Sequence, residues 1–504
     1  MNKFKKNLTN FFKENKTELI VLFTFSLIIY GYFGVSTILN TDGVEDLILT
    51  GSLYNAKMYL SVGRWGWALI CLLFNYYPAP IFCLLLNSIL FSISGVYITK
   101  IFKIKNIYYK ILTGMLLISF PINLIAYSYS AWQYSIGISF FLITFSTYLL
   151  TKKMSIKNLL ISAILISYSI GIYQIFICFI ITFLLYLILN LLTDEKNSKE
   201  LLKRIGYYFL CILIASIFYV IITKTVNFLF NVKMSSYQGA STMFSLNANE
   251  MYHSFGNNLL LCLSPIKTHF FPLWIQIILI ILLIINFFIV VPNIEFKRGL
   301  YYLLIGILLI FAPRLLIFIK PTAWYHEITL LPYTILFTGG IGLLFKNIEQ
   351  AKLKKNNLLP KLIPLSLIIC LFFISLYDNQ MGVMAKKASD ASFAYINRMI
   401  SRIEETPGFT TMSAPYKIYF YDKSTNKEFY LKSNAYADIT GITSNFTFIP
   451  DKLITGMQVL GFNVQKAKLT KKEENEINNY IVGKDIYPEK SSIFIYNNII
   501  VINN

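Results

Sequence analysis

The sequence predicts a polytopic α-helical membrane protein of about eleven transmembrane helices, closed by a small C-terminal extracytoplasmic α/β domain. Three observations carry this. Apolar runs of roughly 20 residues, enough to cross about 30 Å of hydrocarbon, recur from residue 19 to residue 377. Charged residues are 14 % of the chain, well below the quarter or so of a soluble protein. Basic residues cluster in alternate connections between the runs, as inner loops require.

The runs lie at Leu19–Leu39, Ile81–Ile98, Ile111–Ser128, Tyr134–Leu150, Asn158–Ile170, Ile175–Leu192, Ile205–Val226, Leu273–Val291, Leu300–Ile319, Ile328–Phe345 and Leu362–Tyr377. Ser, Tyr and Gly interrupt those between Tyr134 and Leu192. The basic stretches Lys3–Lys16, Lys100–Lys110, Lys152–Lys157, Lys196–Arg204, Lys297–Arg298 and Lys346–Lys361 then share one side. That side is cytoplasmic, with the N-terminus, and the odd span count puts the C-terminal segment outside. The first run is long for a secretory signal and no small-residue cleavage site follows, so it reads as an uncleaved anchor in the cytoplasmic membrane. The net charge of +20 sits mostly in the inner loops, so it reads as topology and not as nucleic-acid binding. The six cysteines fall in or beside apolar runs with no zinc or redox spacing, and read as small buried hydrophobes.

Two domains follow: residues 1–377 in the membrane, with outer loops 40–80 and 231–271, and residues 378–504 outside. In the second, Ala385–Arg402 and Lys471–Ile481 read as helices, and Lys417–Tyr421, Phe446–Ile449 and Ile493–Ile502 as strands. It carries no nucleophile, metal site or phosphate loop, and suits acceptor recognition or support.

Polar residues collect on the outer face. The loop Thr41–Gly66 carries Asp42, Glu45, Asp46 and Arg64. The second loop holds Lys233, Glu250, His253 and His269, and the turn Lys320–Glu327 holds Lys320, Trp324, Tyr325 and His326. All three histidines therefore face outward. Leu49, Leu53, Ala56 and Leu60 recur at helical spacing, which predicts an amphipathic helix with its apolar face on the lipid. Arg314, inside the run ending at Ile319, costs about 2.5–3.5 kcal/mol at a span centre. Pro313 beside it can loosen the helix. Arg314 then faces a partner or a phosphate, or snorkels to the outer headgroups.

Glu45-Asp46 followed by the GRWG at Gly63–Gly66, a helix opening at Asp390-Ala391 and running to ISRIEE, and the ending DIYPEKSSIFIYNNIIVIN together resemble the bacterial glucosyltransferase II family. Those membrane enzymes decorate O-antigens and other surface polysaccharides, and the resemblance covers essentially the whole chain. It implies a GT-C-like architecture, a polyprenyl-phosphate-linked sugar as donor substrate, no cofactor, and an inverting single displacement. A first-loop carboxylate acts as base: Asp46, with Glu45 and Asp42 as neighbours that orient or replace it. Arg64, Arg314, Lys320 and His326 become candidates for the lipid phosphate, and Trp324 and Tyr325 for stacking on a sugar. No metal is required once cations surround the leaving phosphate. The implied partners are membrane lipid, a polysaccharide or teichoic-acid-like acceptor, a donor-synthesising transferase and a small flippase. The family name suggests glucose, while the residues do not separate glucose from other hexoses.

The rival classes are a flippase of lipid-linked saccharides and a polysaccharide polymerase or ligase. A flippase needs charges along its path, yet apart from Arg314 and Lys224 the runs are nearly free of them. A polymerase more usually carries its site in a late, large outer loop and lacks a terminal α/β domain.

Overall fold

The computed structural model describes residues 2–36, 38, 53–74, 79–129, 132–195, 197–236, 248–266, 271–319, 327–351, 358–421 and 450–503. The chain opens with α1 (Asn2–Glu14), α2 (Lys16–Val35), α3 (Leu53–Ser61), α4 (Trp65–Leu73), α5 (Pro80–Ile101), α6 (Ile107–Ser119) and α7 (Pro121–Tyr127). It continues through α8 (Ile136–Lys152), α9 (Ile156–Ile172), α10 (Phe176–Asp194), α11 (Ser198–Leu229), α12 (Ala248–Leu263), α13 (Leu273–Val290) and α14 (Phe296–Phe311). Then come α15 (Leu315–Ile319), α16 (Pro332–Gln350) and α17 (Leu359–Glu404).

Each expected apolar run falls on a helix or a broken helix. Among the described residues, eight helical spans are long and apolar enough to cross a membrane. The pair α6–α7, bent by 44°, makes a ninth, while α8 and α9 are apolar but shorter. The expected eleven full-length spans are therefore not reached by helix length.

Contacts gather the basic stretches at one end of the bundle. Lys103 pairs with Asp194 at 3.2 Å, and the same carboxylate takes Lys346. Glu349 accepts the backbone N–H groups of Lys105 and Asn106, and Arg298 donates to the Glu195 carbonyl. The Tyr207 hydroxyl donates to the Ser155 carbonyl at 2.9 Å, and Lys100 lies over the Phe11 ring at 4.6 Å. This is the basic end; the first long loop leaves the opposite one.

Small residues let the helices close up, as bundles without a hydrophobic drive between helices require. Leu22 of α2 fills the notch at Gly95 of α5 and Gly114 of α6: a Cβ on either would stand 2.8 Å or 2.6 Å from its side chain. Asn87 spends its amide on three backbones, donating to the Cys83 and Gln133 carbonyls and accepting from the Gly137 N–H at 2.7 Å. It thereby pins the start of α8 to α5. The six cysteines are all buried and free, as their apolar settings predict.

Helix α17 runs without a break through residue 378 for 46 residues. Met381 and Ala385 belong to the core of the bundle, and Tyr395, Ile396, Met399 and Ile403 to a second core. That second core is completed by β1 (Tyr416–Tyr421), α18 (Pro450–Val459), β2 (Val464–Lys466), β3 (Ile493–Tyr496) and β4 (Ile499–Asn503), while α19 (Lys471–Ile481) packs Ile477 and Ile481 on Phe494, Ile499 and Val501 in a separate cluster. The sheet order is β2-β1-β4-β3, with β1 parallel to both neighbours and β3–β4 an antiparallel hairpin. The expected single strand Ile493–Ile502 is thus two strands. Asn497 and Asn498 between them take φ of 47° and 59°, the left-handed pair a tight hairpin turn demands. A Thr470/Glu473 capping box starts α19 at the expected residue. The expected strand Phe446–Ile449 lies outside the described residues.

The notch gives a clean pair of variants. Gly95→Val should lower the unfolding free energy in detergent by about 1–3 kcal/mol. Gly31→Ala, with nothing within 4 Å of the added atom, should leave the thermal midpoint unchanged or slightly raised.

Candidate active site

The GRWG segment forms a corner between α3 and α4. Gly63, at φ +75°, ends α3: its N–H bonds to the Leu60 carbonyl, and the Arg64 N–H to the Tyr59 carbonyl. This is the Schellman pattern, whose left-handed position favours glycine. Gln174, in the link between α9 and α10, donates to the Val62 carbonyl at 2.7 Å and to the Tyr219 hydroxyl at 3.0 Å. Tyr219 in turn donates to the Gly63 carbonyl at 3.2 Å. Arg64 leaves the corner with its guanidinium 4.5 Å from the Tyr173 ring centroid.

The rest of the motif is packing. The Trp65 ring lies where a Cβ on Gly171 would be 2.5 Å away. Gly66 lies so close to α9 that a Cβ would meet the Tyr168 carbonyl oxygen at 2.8 Å and the Gly171 carbonyl carbon at 2.9 Å. Three of the four residues therefore hold the corner shut, and Arg64 is the one that brings charge. Helix α3 packs inward: Ala56 and Leu60 are buried, so its apolar face lies against protein. The expectation that this face rests on lipid is corrected, because α4 and α11 cover it.

Arg314 ends a 3-10 turn, Ala312–Arg314, between α14 and α15. Pro313 breaks the helix there, as its missing N–H requires. The guanidinium lies 5.6 Å from the Tyr333 ring centroid, and its buried Nε has no hydrogen-bond partner among the described residues. Cys262 of α12 stands beside it. Both arginines border one stretch of chain. Tyr173 lies under Arg64, while Cys178, in the first turn of α10, meets the backbone of Leu315 and Leu316.

The second outer loop joins the same end. The Ser235 N–H donates to the Ser61 carbonyl at 2.8 Å, and Asn258 of α12 donates to the Ile317 carbonyl at 3.2 Å. Glu250 and His253 stand on α12, and Lys233 on the segment that follows α11. Gln276 of α13 closes the far side, exchanging bonds of 2.8 Å with both backbone groups of Ile266 and donating to the Phe271 carbonyl. Asp42, Glu45, Asp46, His269, Lys320, Trp324, Tyr325 and His326 lie outside the described residues. Among the described residues no group of three or more His, Cys, Asp or Glu is placed to hold a metal ion.

Sequence reasoning missed a groove. A cavity of about 460 Å³ runs between α12, α13, α14 and α16. Its walls are largely apolar, and the lining residues Leu273, Ile280, Ile284 and Ile310 are themselves exposed on the flank of the bundle. Tyr333 and Cys262, the neighbours of Arg314, line it too. The groove is thus apolar along its length and open sideways, with Arg314 beside two of its lining residues. No single run signalled it, because five separate helices, α10 among them through Tyr186, supply its walls.

The corner can be tested for packing alone. Gly66→Ala meets only backbone atoms, so unfolding in detergent should show a loss of about 1–3 kcal/mol. Arg64→Ala gives up the cation–π contact with Tyr173 and should cost at least about 0.5 kcal/mol.

A family model described as Glucosyl transferase GtrII matches residues 31–344. No curated protein and no solved structure matches the chain.

Proposed function

The chain belongs to the glucosyl transferase GtrII family, whose model covers more than half of it, and we propose that it moves a hexose from a polyprenyl-phosphate-linked donor to a cell-surface polysaccharide at the outer face of the cytoplasmic membrane. The observation that carries this reading is the groove, with Arg314 beside two of its lining residues, Tyr333 and Cys262. A sideways opening lined by Leu, Ile and Phe suits a long apolar tail arriving from the bilayer. The neighbouring Arg314 guanidinium suits the phosphate that joins tail to sugar.

In this reading the acceptor hydroxyl oxygen attacks the anomeric carbon from the face opposite the phosphate. Its proton passes to a first-loop carboxylate, Asp46 in our assignment, with Glu45 and Asp42 beside it. The bond from the anomeric carbon to the phosphate oxygen breaks, and its electron pair leaves with the lipid phosphate. The transition state is oxocarbenium-like, so charge grows on the leaving oxygen while the base takes the proton. Arg314 and Arg64 offset the growing negative charge, with Lys320 and His326 assigned to the same task and Trp324 and Tyr325 to the sugar face. The architecture is GT-C-like in this proposal, and the terminal α/β unit recognises or supports the acceptor.

Linkage analysis of surface polysaccharide tests the reading in cells carrying the wild type, Asp46→Asn, Arg314→Gln or no protein. One side-branch hexose should vanish without the protein while the backbone polymer persists. Asp46→Asn should cut its addition by about 10²–10⁴-fold, and Arg314→Gln by about 10²–10³-fold. Loss of the whole polymer on deletion would instead favour a flippase or a polymerase.

A further inference from the structure

The groove is lined by one hydroxyl that the protein itself does not use. Tyr186, Ser264, Gln276, Asn286 and Tyr333 are the lining side chains that carry oxygen or nitrogen. Four of them are engaged within the chain. The Tyr186 hydroxyl donates to the Leu336 carbonyl at 2.5 Å, Ser264 donates to the Leu260 carbonyl at 2.8 Å, and Gln276 holds the backbone of Ile266 and Phe271. Asn286 donates to the Tyr302 hydroxyl at 2.9 Å and accepts from Asn347 at 2.8 Å. Tyr333 is the exception: it is 6 % exposed, and its buried hydroxyl has no hydrogen-bond partner among the described residues.

Its place in the fold is well defined. Tyr333 stands in the first turn of α16. Lys346, in the same helix, pairs with Asp194 at the basic end, about 20 Å of helix away. Tyr333 is therefore at the opposite end of the bundle, where the GRWG corner and the Arg314 turn lie. Gly340, about two turns further along α16, also lines the groove. The groove thus leads from Tyr333 toward the basic end for at least about 10 Å. The turn Ala312–Arg314 packs on α16 and brings the guanidinium to 5.6 Å from the Tyr333 ring centroid. Phe337 flanks the same ring, centroids 6.5 Å apart, and lines the groove beside it.

A buried hydroxyl without a partner costs stability, and phenylalanine would fill the same space without that cost. Packing accounts for the ring and not for its oxygen. A purely hydrocarbon ligand would leave the oxygen as idle as it is here. What suits it is a hydrogen-bond acceptor arriving through the groove, and the Arg314 charge on the ring favours an anion. We propose that Tyr333 donates its hydroxyl to a non-bridging phosphate oxygen of the polyprenyl-linked donor, sharing that phosphate with Arg314, while the first isoprene units lie along α16 toward Gly340. No bond is made or broken at Tyr333. The phenol keeps its proton, and its hydrogen bond strengthens as the leaving phosphate gains charge. The assignment rests on the transferase reading above and gives it a phosphate-binding residue in the wall of the groove itself.

Full-length protein in detergent is titrated with a synthetic polyprenyl phosphate, with the polyprenol of the same length and with phosphatidic acid, and kcat/KM is measured on a polyprenyl-phosphate hexose. Wild type should prefer the polyprenyl phosphate to both other lipids. Tyr333→Phe keeps the ring beside Arg314 and removes one oxygen. It should melt no lower than wild type, bind the polyprenyl phosphate about 10–100-fold more weakly and bind the polyprenol as before. Its kcat/KM should fall by a similar factor. Should Tyr333→Phe fail to fold, a polyprenyl phosphate with a photoreactive group next to the phosphate gives the result in wild type: label on Cys262, Tyr333 or Phe337 supports the assignment, and label confined to other helices overturns it. An equal loss on phosphate and polyprenol would make Tyr333 a packing residue, and an unchanged preference would leave its hydroxyl idle. Either result overturns the assignment and leaves the transferase reading standing, as does phosphatidic acid binding as tightly as the polyprenyl phosphate. A Tyr333-dependent preference in a wild type that transfers no hexose would keep the phosphate site and sink the transferase reading.

Discussion

Hydrogen-bond satisfaction without water governs this structure. In a bundle this apolar, a backbone group released from a helix has no solvent to turn to, so every break must be met by a side chain. At the bend between α6 and α7 the Leu117 carbonyl takes Asn123 and the Ile118 carbonyl takes Tyr30. At the GRWG corner the loose carbonyls take Gln174 and Tyr219. Before α13 a single glutamine serves three backbone groups. Among the described residues these three breaks are therefore each tied down by a side chain.

Against that rule, Asp378 and Tyr127 stand out. Both are buried as deeply as the groups that satisfy the breaks, and neither has a hydrogen-bond partner among the described residues. Arg314 keeps an idle nitrogen and Tyr333 an idle hydroxyl in the same way, but beside a groove. Polar atoms held ready there cost stability, and enzymes accept that cost where a substrate will complete the bonding. The groove fits the same logic, since its apolar wall can receive a tail while these two side chains receive a charge.

Much of the fold was legible because it is written locally. The expected run Ile81–Ile98 sits inside α5, and Lys471–Ile481 coincides with α19, because apolar length and a capping box are signals contained in one stretch. The hairpin was misread because IYNNII looks like one apolar run, although two adjacent asparagines are themselves a turn signal. The inward packing of α3 could not be foreseen, since its cover comes from α11, more than a hundred residues on. Of the candidate site, Arg64 and Arg314 were found as charges out of place. Tyr333 was passed over as one aromatic residue in the apolar run Ile328–Phe345, and only the groove and Arg314 single it out. The groove had no sequence signal at all.

Helix α17 ties two cores together with no joint between them. Met381 and Ala385 are keyed into the bundle, and Tyr395 and Ile396 into the α/β unit, on the same rod. An α-helix turns about 100° per residue, so this rod fixes the angular setting of the outer unit as well as its height. Between Ala385 and Tyr395 the number of residues is therefore fixed. One added residue would swing the α/β unit more than a quarter turn about the helix axis, whereas seven would bring it almost back into phase, about 10 Å further out.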